Sequence, residues 1–284
     1  MKRREFIKYT TAGALAVTGL PGLAGAAKAK YASDKVMLGN TGIQASRLAM
    51  GTGTHGVNKS SEQSRDLGIE GVADLLQAAY EQGINFWDTA DQYGTHPHVK
   101  AGLKRVPREK VVILTKTHAT TADEMKRDLD RFRKEMDTDY LDIMLLHLMR
   151  DPKWPKIKAG AMDVLSQARE DGIIRAHGVS CHTLGALKTA AETDWVQVDL
   201  ARINPRGVIM DDTVETVVPI LKKMHQDGKS VLGMKVIGAG RLRDHVDECL
   251  RFVLDQEYVD AFTIGQEDEN EMMDLVKRIP KCSV

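Results

Sequence analysis

The chain has 284 residues, of which 42% are apolar and 28% are charged. This length can bury a large core, and it suits either one large α/β domain or two smaller ones. The composition is that of a globular protein and excludes a disordered chain. Basic and acidic residues number 40 each, so the formal charge is zero and neither nucleic acid nor an anionic membrane surface is indicated as a partner.

The first 29 residues have the features of a leader. They start with a basic segment that contains Arg3 and Arg4, continue through a weakly apolar stretch, and end in small residues at the spacing of a cleavage site. This pattern resembles a twin-arginine (Tat) signal peptide; a basic tail without a targeting role is the alternative. The apolar stretch is shorter than the ~20 residues that span a bilayer. We therefore expect export to the periplasm by the Tat machinery, without stable membrane insertion.

The three cysteines are Cys181, Cys249 and Cys282. Because they are odd in number and far apart in the chain, they predict neither a disulfide framework nor a metal site. A chain that enters an oxidising compartment without using disulfides is expected to fold before it arrives there. Twin-arginine transport carries folded cargo, so this expectation agrees with the leader.

Residues 36–46 predict a short β-hairpin with its turn at residues 40–42. After it, apolar runs rich in β-branched residues alternate eight times with segments of helical periodicity. The predicted strands are 47–52, 84–90, 111–117, 141–147, 173–180, 195–200, 231–237 and 259–265. The predicted helices are 71–82, 97–105, 122–137, 157–171, 184–192, 213–227, 243–256 and 268–279.

Apolar strands joined by helical crossovers indicate a parallel sheet that is covered on both faces. Eight such units in about 250 residues predict a single (β/α)8 TIM barrel domain over residues 30–284, with the hairpin at its N-terminal end. A doubly wound open sheet is the alternative, and it would need a G-x-G-x-x-G turn that opens a helix. Glycines at 51, 53 and 56 have that spacing, but the segment after them, NKSSEQSRDLG, predicts a polar loop.

Polar side chains follow the carboxyl ends of the predicted strands, which meet at one rim of such a barrel. Strand two ends at Asp88 and continues to Tyr93, strand three ends at Lys116, and strand four ends at His147. Three of these four residues have a structural alternative: a turn or cap for Asp88, an exposed lysine for Lys116 and a core histidine for His147. Four such coincidences at one rim favour a functional site.

This set of side chains suits proton transfer to a carbonyl oxygen. The pKa of a free phenol is about 10. A nearby ammonium is expected to lower the pKa of Tyr93 and to make it a better proton donor. Asp88 would hold Lys116, and His147 would hydrogen-bond to the carbonyl. None of these groups can supply two electrons, so a nicotinamide cofactor, NADP(H) or NAD(H), is expected. Asp91 has no such task and is predicted to be a turn residue.

The chain resembles the aldo/keto reductases over nearly all of residues 36–266. The motifs that carry the resemblance are GINFWDTADQYG (83–94), VVILTK (111–116), DYLDIMLLH (139–147), GVSCH (178–182) and WVQVD (195–199). The resemblance implies a (β/α)8 barrel and a catalytic tetrad of Asp88, Tyr93, Lys116 and His147, with the tyrosine as general acid in reduction. It implies cofactor-binding residues at Gly51, Thr52, Ser180, Cys181, Gln197, Met234, Lys235 and Gly265, of which Ser180, Cys181 and Gln197 would hold the carboxamide.

Three features depart from the family pattern. Cys181 stands where most members have asparagine, and Met234 stands where many have an aromatic residue that stacks on the nicotinamide. After the last strand, NADPH-dependent members present a lysine and an arginine to the 2′-phosphate, whereas this chain has the acidic segment 266–271. Acidic groups repel that phosphate, which makes NADH a candidate, although Lys235 or Arg241 could supply positive charge.

The sequence therefore predicts an exported aldo/keto reductase that interconverts a small aldehyde or ketone and an alcohol. Because nicotinamide cofactors are scarce outside the cytoplasm, we expect the cofactor to be loaded before export. One alternative is a class I aldolase with Lys116 as the Schiff base, which leaves Tyr93 and Gln197 without roles. Another is a non-catalytic exported barrel that binds a cofactor or ligand, which Cys181 and Met234 favour. Segments 147–160 and 201–212 are the predicted walls of the substrate site.

Overall fold

A computed structural model describes residues 28–283 of the chain. The leader predicted for residues 1–29 therefore lies, except for its last two residues, outside the described part. Within residues 28–283, no helix has the length and apolar character that crossing a membrane requires.

An antiparallel hairpin precedes a closed barrel of eight parallel strands. The hairpin strands are β1 (Lys35–Met37) and β2 (Gln44–Ser46). The barrel strands are β3 (Leu48–Gly51), β4 (Phe86–Asp88), β5 (Val112–Thr117), β6 (Leu141–Met149), β7 (Ile174–Cys181), β8 (Val198–Arg202), β9 (Ser230–Met234) and β10 (Ala261–Gly265). They pair in chain order, and β10 closes the barrel on β3. The predicted (β/α)8 barrel and the predicted hairpin are both confirmed.

Helices cover the outside of the barrel. They are α1 (Glu62–Asp66), α2 (Gly68–Glu81), α3 (His96–Leu103), α4 (Ala122–Met136), α5 (Trp154–Ile157), α6 (Ala159–Glu170), α7 (Leu184–Glu192), α8 (Val214–Gln226), α9 (Val246–Asp255) and α10 (Glu269–Cys282). The prediction of a plain loop after residue 56 was wrong, because Ser61 and Ser64 exchange side-chain to backbone hydrogen bonds and cap α1. The predicted helix 157–171 is divided between α5 and α6.

The barrel strands have an inner and an outer face, which alternate along each strand. Inner side chains such as Phe86, Leu114 and Leu145 form one buried cluster, and outer ones such as Trp87 and Ile113 pack against the helices. The same alternation decides which residue of each strand end faces the barrel mouth. These residues are Asp88, Lys116, His147, Ser180, Arg202 and Met234.

The hairpin closes the barrel at the end opposite to this rim. Leu38, Ile43 and Ala45 are fully buried and belong to the inner cluster of the barrel. The backbone N–H of Asn40 donates to the carbonyl oxygen of Gly228 at 2.9 Å, which ties the hairpin to the loop before β9. Gly39 has a φ of 47°, and a Cβ atom there would overlap the backbone around Ser230, so only glycine fits.

We expect Leu38→Ala to lower the free energy of unfolding by about 2–5 kcal/mol, because it leaves a cavity at the closed end of the barrel. Met37→Ala is the matched control, since Met37 lies on the same hairpin but is 47% exposed. Urea unfolding followed by circular dichroism measures both. Equal losses of stability in the two variants would show that the hairpin does not plug the barrel.

Candidate active site

Lys116 and Asp88 form a buried ion pair at the inner face of the barrel. The Lys116 ammonium also donates to the carbonyl oxygen of Thr89 at 2.8 Å and to Oη of Tyr93 at 3.4 Å. Burial by itself would lower the pKa of Lys116, but the charge of Asp88 and the contact with Tyr93 raise it above its usual value. Lys116 is therefore a charged ammonium although only 1% of it is exposed.

Tyr93 keeps its proton at neutral pH. Burial raises the pKa of Tyr93 above its usual value, and the opposing charge of Lys116 does not overcome this effect. Lys116 does lower this pKa, as predicted, but the expected net decrease was wrong because it left out the larger cost of burying a phenolate. A protonated phenol is the form that can donate a proton.

Two glycines make room for the ring of Tyr93, which lies in a 3₁₀ turn of residues 91–93. A Cβ atom on Gly53 would overlap one edge of the ring, and a Cβ atom on Gly56 would overlap the opposite edge. The second and third glycines of the G-x-G-x-x-G pattern in residues 51–56 thus leave space for a tyrosine ring. The sequence did not reveal this role, since the loop and the ring are about 40 residues apart in the chain.

The turn that carries Tyr93 is anchored by Asp91, which was predicted to be a turn residue. Asp91 is ion-paired with Lys59 and, at 2.6 Å, with Arg131. Burial alone would raise the pKa of Asp91, but the hydrogen bonds from Arg131 and Lys59 lower it. In addition, the N–H of Lys59 donates to the carbonyl oxygen of Gln92 at 2.9 Å. Asp91 therefore begins the turn and also fixes it from two sides.

His147 lies between Tyr93 and a second imidazole, that of His118. The rings of His118 and His147 stack with centroids 4.9 Å apart, and Tyr93 meets His147 edge to face at 5.8 Å. Burial, followed by the charge of Lys116, lowers the pKa of His147 well below its usual value. His147 is therefore neutral.

His118 and Gln92 were not predicted as site residues. Nε2 of His118 lies 2.6 Å from Oε1 of Gln92, and Nε2 of Gln92 donates to the carbonyl oxygen of Gly56 at 2.9 Å. Because the second bond orients the Gln92 amide, His118 must donate through Nε2. Gln92 stands beside Tyr93 in a quoted motif and His118 follows Lys116 by two residues, and this proximity in the chain was the available signal.

Two of the predicted carboxamide-binding residues do not face the rim. Cys181 lies on the outer face of β7, buried against the helices, with Asp199 as its polar neighbour. Gln197 precedes β8 at the end closed by the hairpin, where its Oε1 accepts from the N–H of His177 at 3.3 Å. The structure contradicts both assignments, because the strand alternation turns Cys181 outward and the inner residue of β8 that reaches the rim is Arg202.

The other predicted cofactor residues lie at strand ends of the rim. Gly51 pairs in register with Gly265, and the Thr52 hydroxyl is already used, since it donates to the carbonyl oxygen of Asp88 at 3.0 Å. The remaining three are Ser180, whose Oγ accepts from the N–H of Leu148 at 2.9 Å, Met234, which is buried at the end of β9, and Lys235, which follows with a left-handed φ of 57°.

The end of β10 holds a buried amide and a group of acids. Gln266 is 1% exposed, and in the described part of the chain neither atom of its side-chain amide has a hydrogen-bond partner. Beside it, partial burial and the neighbouring acid Glu62 raise the pKa of Glu267. Asp66 and Glu271 also act on Glu267, so α1 adds two acids to the acidic segment that the sequence showed. This end of the rim presents an amide and concentrated negative charge.

The sequence model of the aldo/keto reductase family matches residues 47–276. The chain belongs to this family. It is 27% identical to the NADH-specific methylglyoxal reductase of Escherichia coli over 51% of each protein. It is 30% identical to the aldo-keto reductase YhdN of Bacillus subtilis over 54% of this chain and 48% of that relative. The chain thus spans about half the length of these two curated relatives.

The fold is similar to a Pseudomonas aeruginosa structure that was solved as a candidate aldo-keto reductase. The TM-score is 0.72 at 22% identity, and the match covers 90% of this chain and 98% of that one. At this identity the likeness concerns the barrel. The catalytic roles of Asp88, Tyr93, Lys116 and His147 remain predictions, which the observed geometry brings together in one place.

In this aldo/keto reductase, we expect Gly53→Ala to displace the Tyr93 ring and to lower turnover of a carbonyl substrate about 100-fold. Gly185→Ala is the matched control, because a Cβ atom there makes only ordinary contacts of 3.6 Å with Pro152. Steady-state kinetics and thermal unfolding of both variants separate displacement from loss of fold. Full turnover in a folded Gly53→Ala variant would show that the glycine does not position the ring.

Proposed function

We propose that this chain catalyses nicotinamide-dependent interconversion of an aldehyde or ketone and an alcohol. The observation that carries the proposal is the buried chain of contacts from Asp88 through Lys116 to the Tyr93 hydroxyl, beside a neutral His147. Membership of the aldo/keto reductase family supports it. Since the chain spans about half of its curated relatives, the activity is inferred from this site.

Tyr93 would act as the general acid in reduction. Its phenol is protonated, and donation to the carbonyl oxygen leaves a phenolate 3.4 Å from the Lys116 ammonium. That ammonium stabilises the phenolate, so it acts on the product of the proton transfer more than on the resting phenol. Asp88 holds the ammonium in place and keeps it charged. His147 is neutral and would contribute a hydrogen bond to the carbonyl oxygen rather than a charge.

A bound nicotinamide cofactor would supply the hydride in this reaction. Ser180 and Met234, at the inner rim, would hold its nicotinamide end, and Gly265 with Gln266 would hold its nucleotide end. The acids around Glu267 oppose a 2′-phosphate and favour a ribose with free hydroxyls. We therefore propose NADH as the preferred cofactor. The similarity to an NADH-specific relative is consistent with this preference.

The Schiff-base aldolase is a weaker candidate. A lysine that attacks a carbonyl must first lose its proton, which usually requires a lowered pKa. The ion pair with Asp88 instead raises the pKa of Lys116 above its usual value. Cys181, which was thought to favour a barrel without turnover, faces away from the rim and no longer argues for it.

We also propose that the protein is exported to the periplasm through its twin-arginine leader, carrying its cofactor from the cytoplasm. The leader sequence supports export, and the three cysteines within residues 28–283 are all free, as expected for a protein that folds before export. Protein recovered from a periplasmic extract should hold nicotinamide nucleotide, and Arg3→Lys with Arg4→Lys should retain it in the cytoplasm. Periplasmic protein without nucleotide, as judged by mass spectrometry, would count against the cofactor being carried through export.

We expect Tyr93→Phe to lower kcat for reduction by about 10²- to 10⁴-fold, because the general acid is lost. Cofactor affinity should stay within about twofold, since the hydroxyl faces the carbonyl. Tyr80→Phe, in the outer helix α2, is the control and should be fully active. Unchanged turnover in Tyr93→Phe would remove the proposed acid. If the unaltered protein bound NADH but reduced no carbonyl compound, the non-catalytic barrel would be favoured.

We expect the unaltered protein to bind NADH more tightly than NADPH, and Glu267→Gln to improve NADPH binding by about fivefold, because one repulsive charge near the 2′-phosphate is removed. Glu109→Gln is the control: it removes an exposed acid that lies before the start of β5, at the opposite end of the barrel, and it should change neither affinity. Fluorescence titration with both cofactors measures the ratio. An NADPH preference in the unaltered protein would contradict the assignment of the acidic segment.

A further inference from the structure

Positive charge is concentrated on one side of the barrel mouth, where β7, β8 and β9 end. Arg202 pairs in register with Met234, and Lys235 follows Met234 directly. His182 follows the end of β7. The proposed proton transfer uses none of these three polar residues.

Lys235 is a partly buried cation without a counter-ion. Within residues 28–283, its ammonium has neither an ion pair nor a hydrogen bond. Burial, followed by the charges of Lys116 and Arg202, lowers the pKa of Lys235, and Asp88 is the acid that opposes them. Because Asp88 is already paired with Lys116, the charge of Lys235 is not neutralised.

Arg202 has unused hydrogen-bonding capacity. Its Nε donates to Oδ1 of the buried Asp211 at 3.1 Å, and its Nη2 contacts the same oxygen. Nη1 has no partner among the described residues, although only 12% of the side chain is exposed. A guanidinium fixed by one carboxylate can offer its remaining N–H groups to a second anion.

His182 directly follows the end of β7, and this positive charge acts on its imidazole. The pKa of His182 is lowered to about 3, first by burial and then by Arg202, Lys235, Arg150 and Lys116. A neutral imidazole can donate a hydrogen bond to an anion without adding to the repulsion among these cations. Asp88 is paired with Lys116 and Asp211 with Arg202, so neither carboxylate is free to neutralise Lys235. The group therefore has an excess of positive charge.

We propose that Lys235, Arg202 and His182 bind a carboxylate of the substrate, so that the enzyme acts on carbonyl compounds that carry this group. This inference rests on the proposed carbonyl reduction. The cofactor diphosphate is the other possible source of an anion, and Lys235 was predicted from the sequence to bind cofactor. Lys235 nevertheless directly follows Met234, the inner rim residue of β9, at the same end of the barrel as Asp88 and Lys116, and the charges of both act on it.

A matched pair of aldehydes tests this inference. 4-Formylbenzoate and its methyl ester have the same reacting group and differ by one charge. We expect the unaltered enzyme to prefer the free acid by about tenfold or more in kcat/KM, since charge-assisted hydrogen bonds in a partly buried site are the strong ones. Lys235→Gln should lower the kcat/KM of the acid far more than that of the ester, and so abolish the preference. Lys188→Gln, on the exposed side of α7, is the control.

A second variant covers Arg202. Because Arg202→Gln alone would leave Asp211 buried without a partner, it is combined with Asp211→Asn. This double variant should also lose the preference for the acid. Equal use of acid and ester by the unaltered enzyme would overturn the inference. So would a Lys235→Gln variant that binds NADH more weakly and loses activity equally on both aldehydes, because the lysine would then serve the cofactor.

Calorimetric titration with 4-(hydroxymethyl)benzoate and its methyl ester, in the absence of turnover, distinguishes failure of this inference from failure of the proposed function. Tighter binding of the acid that is lost in Lys235→Gln supports the carboxylate site even if no aldehyde is reduced. Equal binding of acid and ester in the unaltered protein contradicts it, whatever the reduction assay shows.

Discussion

The buried ion pair of Asp88 and Lys116 is the interaction on which the rim of the barrel depends. Leaving the ammonium buried without its partner would be strongly destabilising, by about 3–5 kcal/mol. The pair also joins strand ends, since Thr263 of β10 donates to Oδ2 of Asp88 at 3.0 Å and Lys116 donates to Thr89 after β4. Three strands are thereby fixed relative to each other below the Tyr93 hydroxyl, so the geometry of the proposed proton donor follows from the same contact that neutralises the buried charge.

Burial has opposite effects on the pKa values of the groups around that pair, and both effects favour neutral side chains. It raises the pKa of the Tyr93 phenol and lowers the pKa of the His147 imidazole. Of the three groups Tyr93, His147 and Lys116, Lys116 is the one that stays charged, because Asp88 compensates for its burial. The site thus keeps one internal charge pair and two neutral hydrogen-bonding groups. The carbonyl group of a substrate would accept hydrogen bonds from two neutral donors. The phenolate formed by proton transfer would be stabilised by the Lys116 ammonium, which is already in place.

The sequence predicted the barrel and the convergence of Asp88, Lys116 and His147, because in β4, β5 and β6 a polar residue interrupts an apolar run near the strand's end. It failed for Cys181, since a strand that is buried on both faces has apolar residues on both sides and its alternation does not show which face is inside. It failed for Gln197 because β8 begins at Val198 and not at residue 195, which leaves Gln197 before the strand, at the closed end. It also missed contacts between distant segments. Gly53 and Gly56 enclose the Tyr93 ring, and Gln92 links Gly56 to His118, which no local pattern indicates.

The net charge of zero conceals two opposite charge concentrations at one barrel mouth. Lys235 and Arg202 lie at the ends of β9 and β8, whereas Glu267 and Glu62 lie beyond the ends of β10 and β3. Each group would discriminate between ligands by charge. Attraction would favour a carboxylate over an ester on one side, and repulsion would favour a ribose hydroxyl over a 2′-phosphate on the other. Because charge makes this selection, it does not require a closely fitting cavity. The specificity of the site would be set by the residues that follow the strands, while the barrel beneath them stays the same.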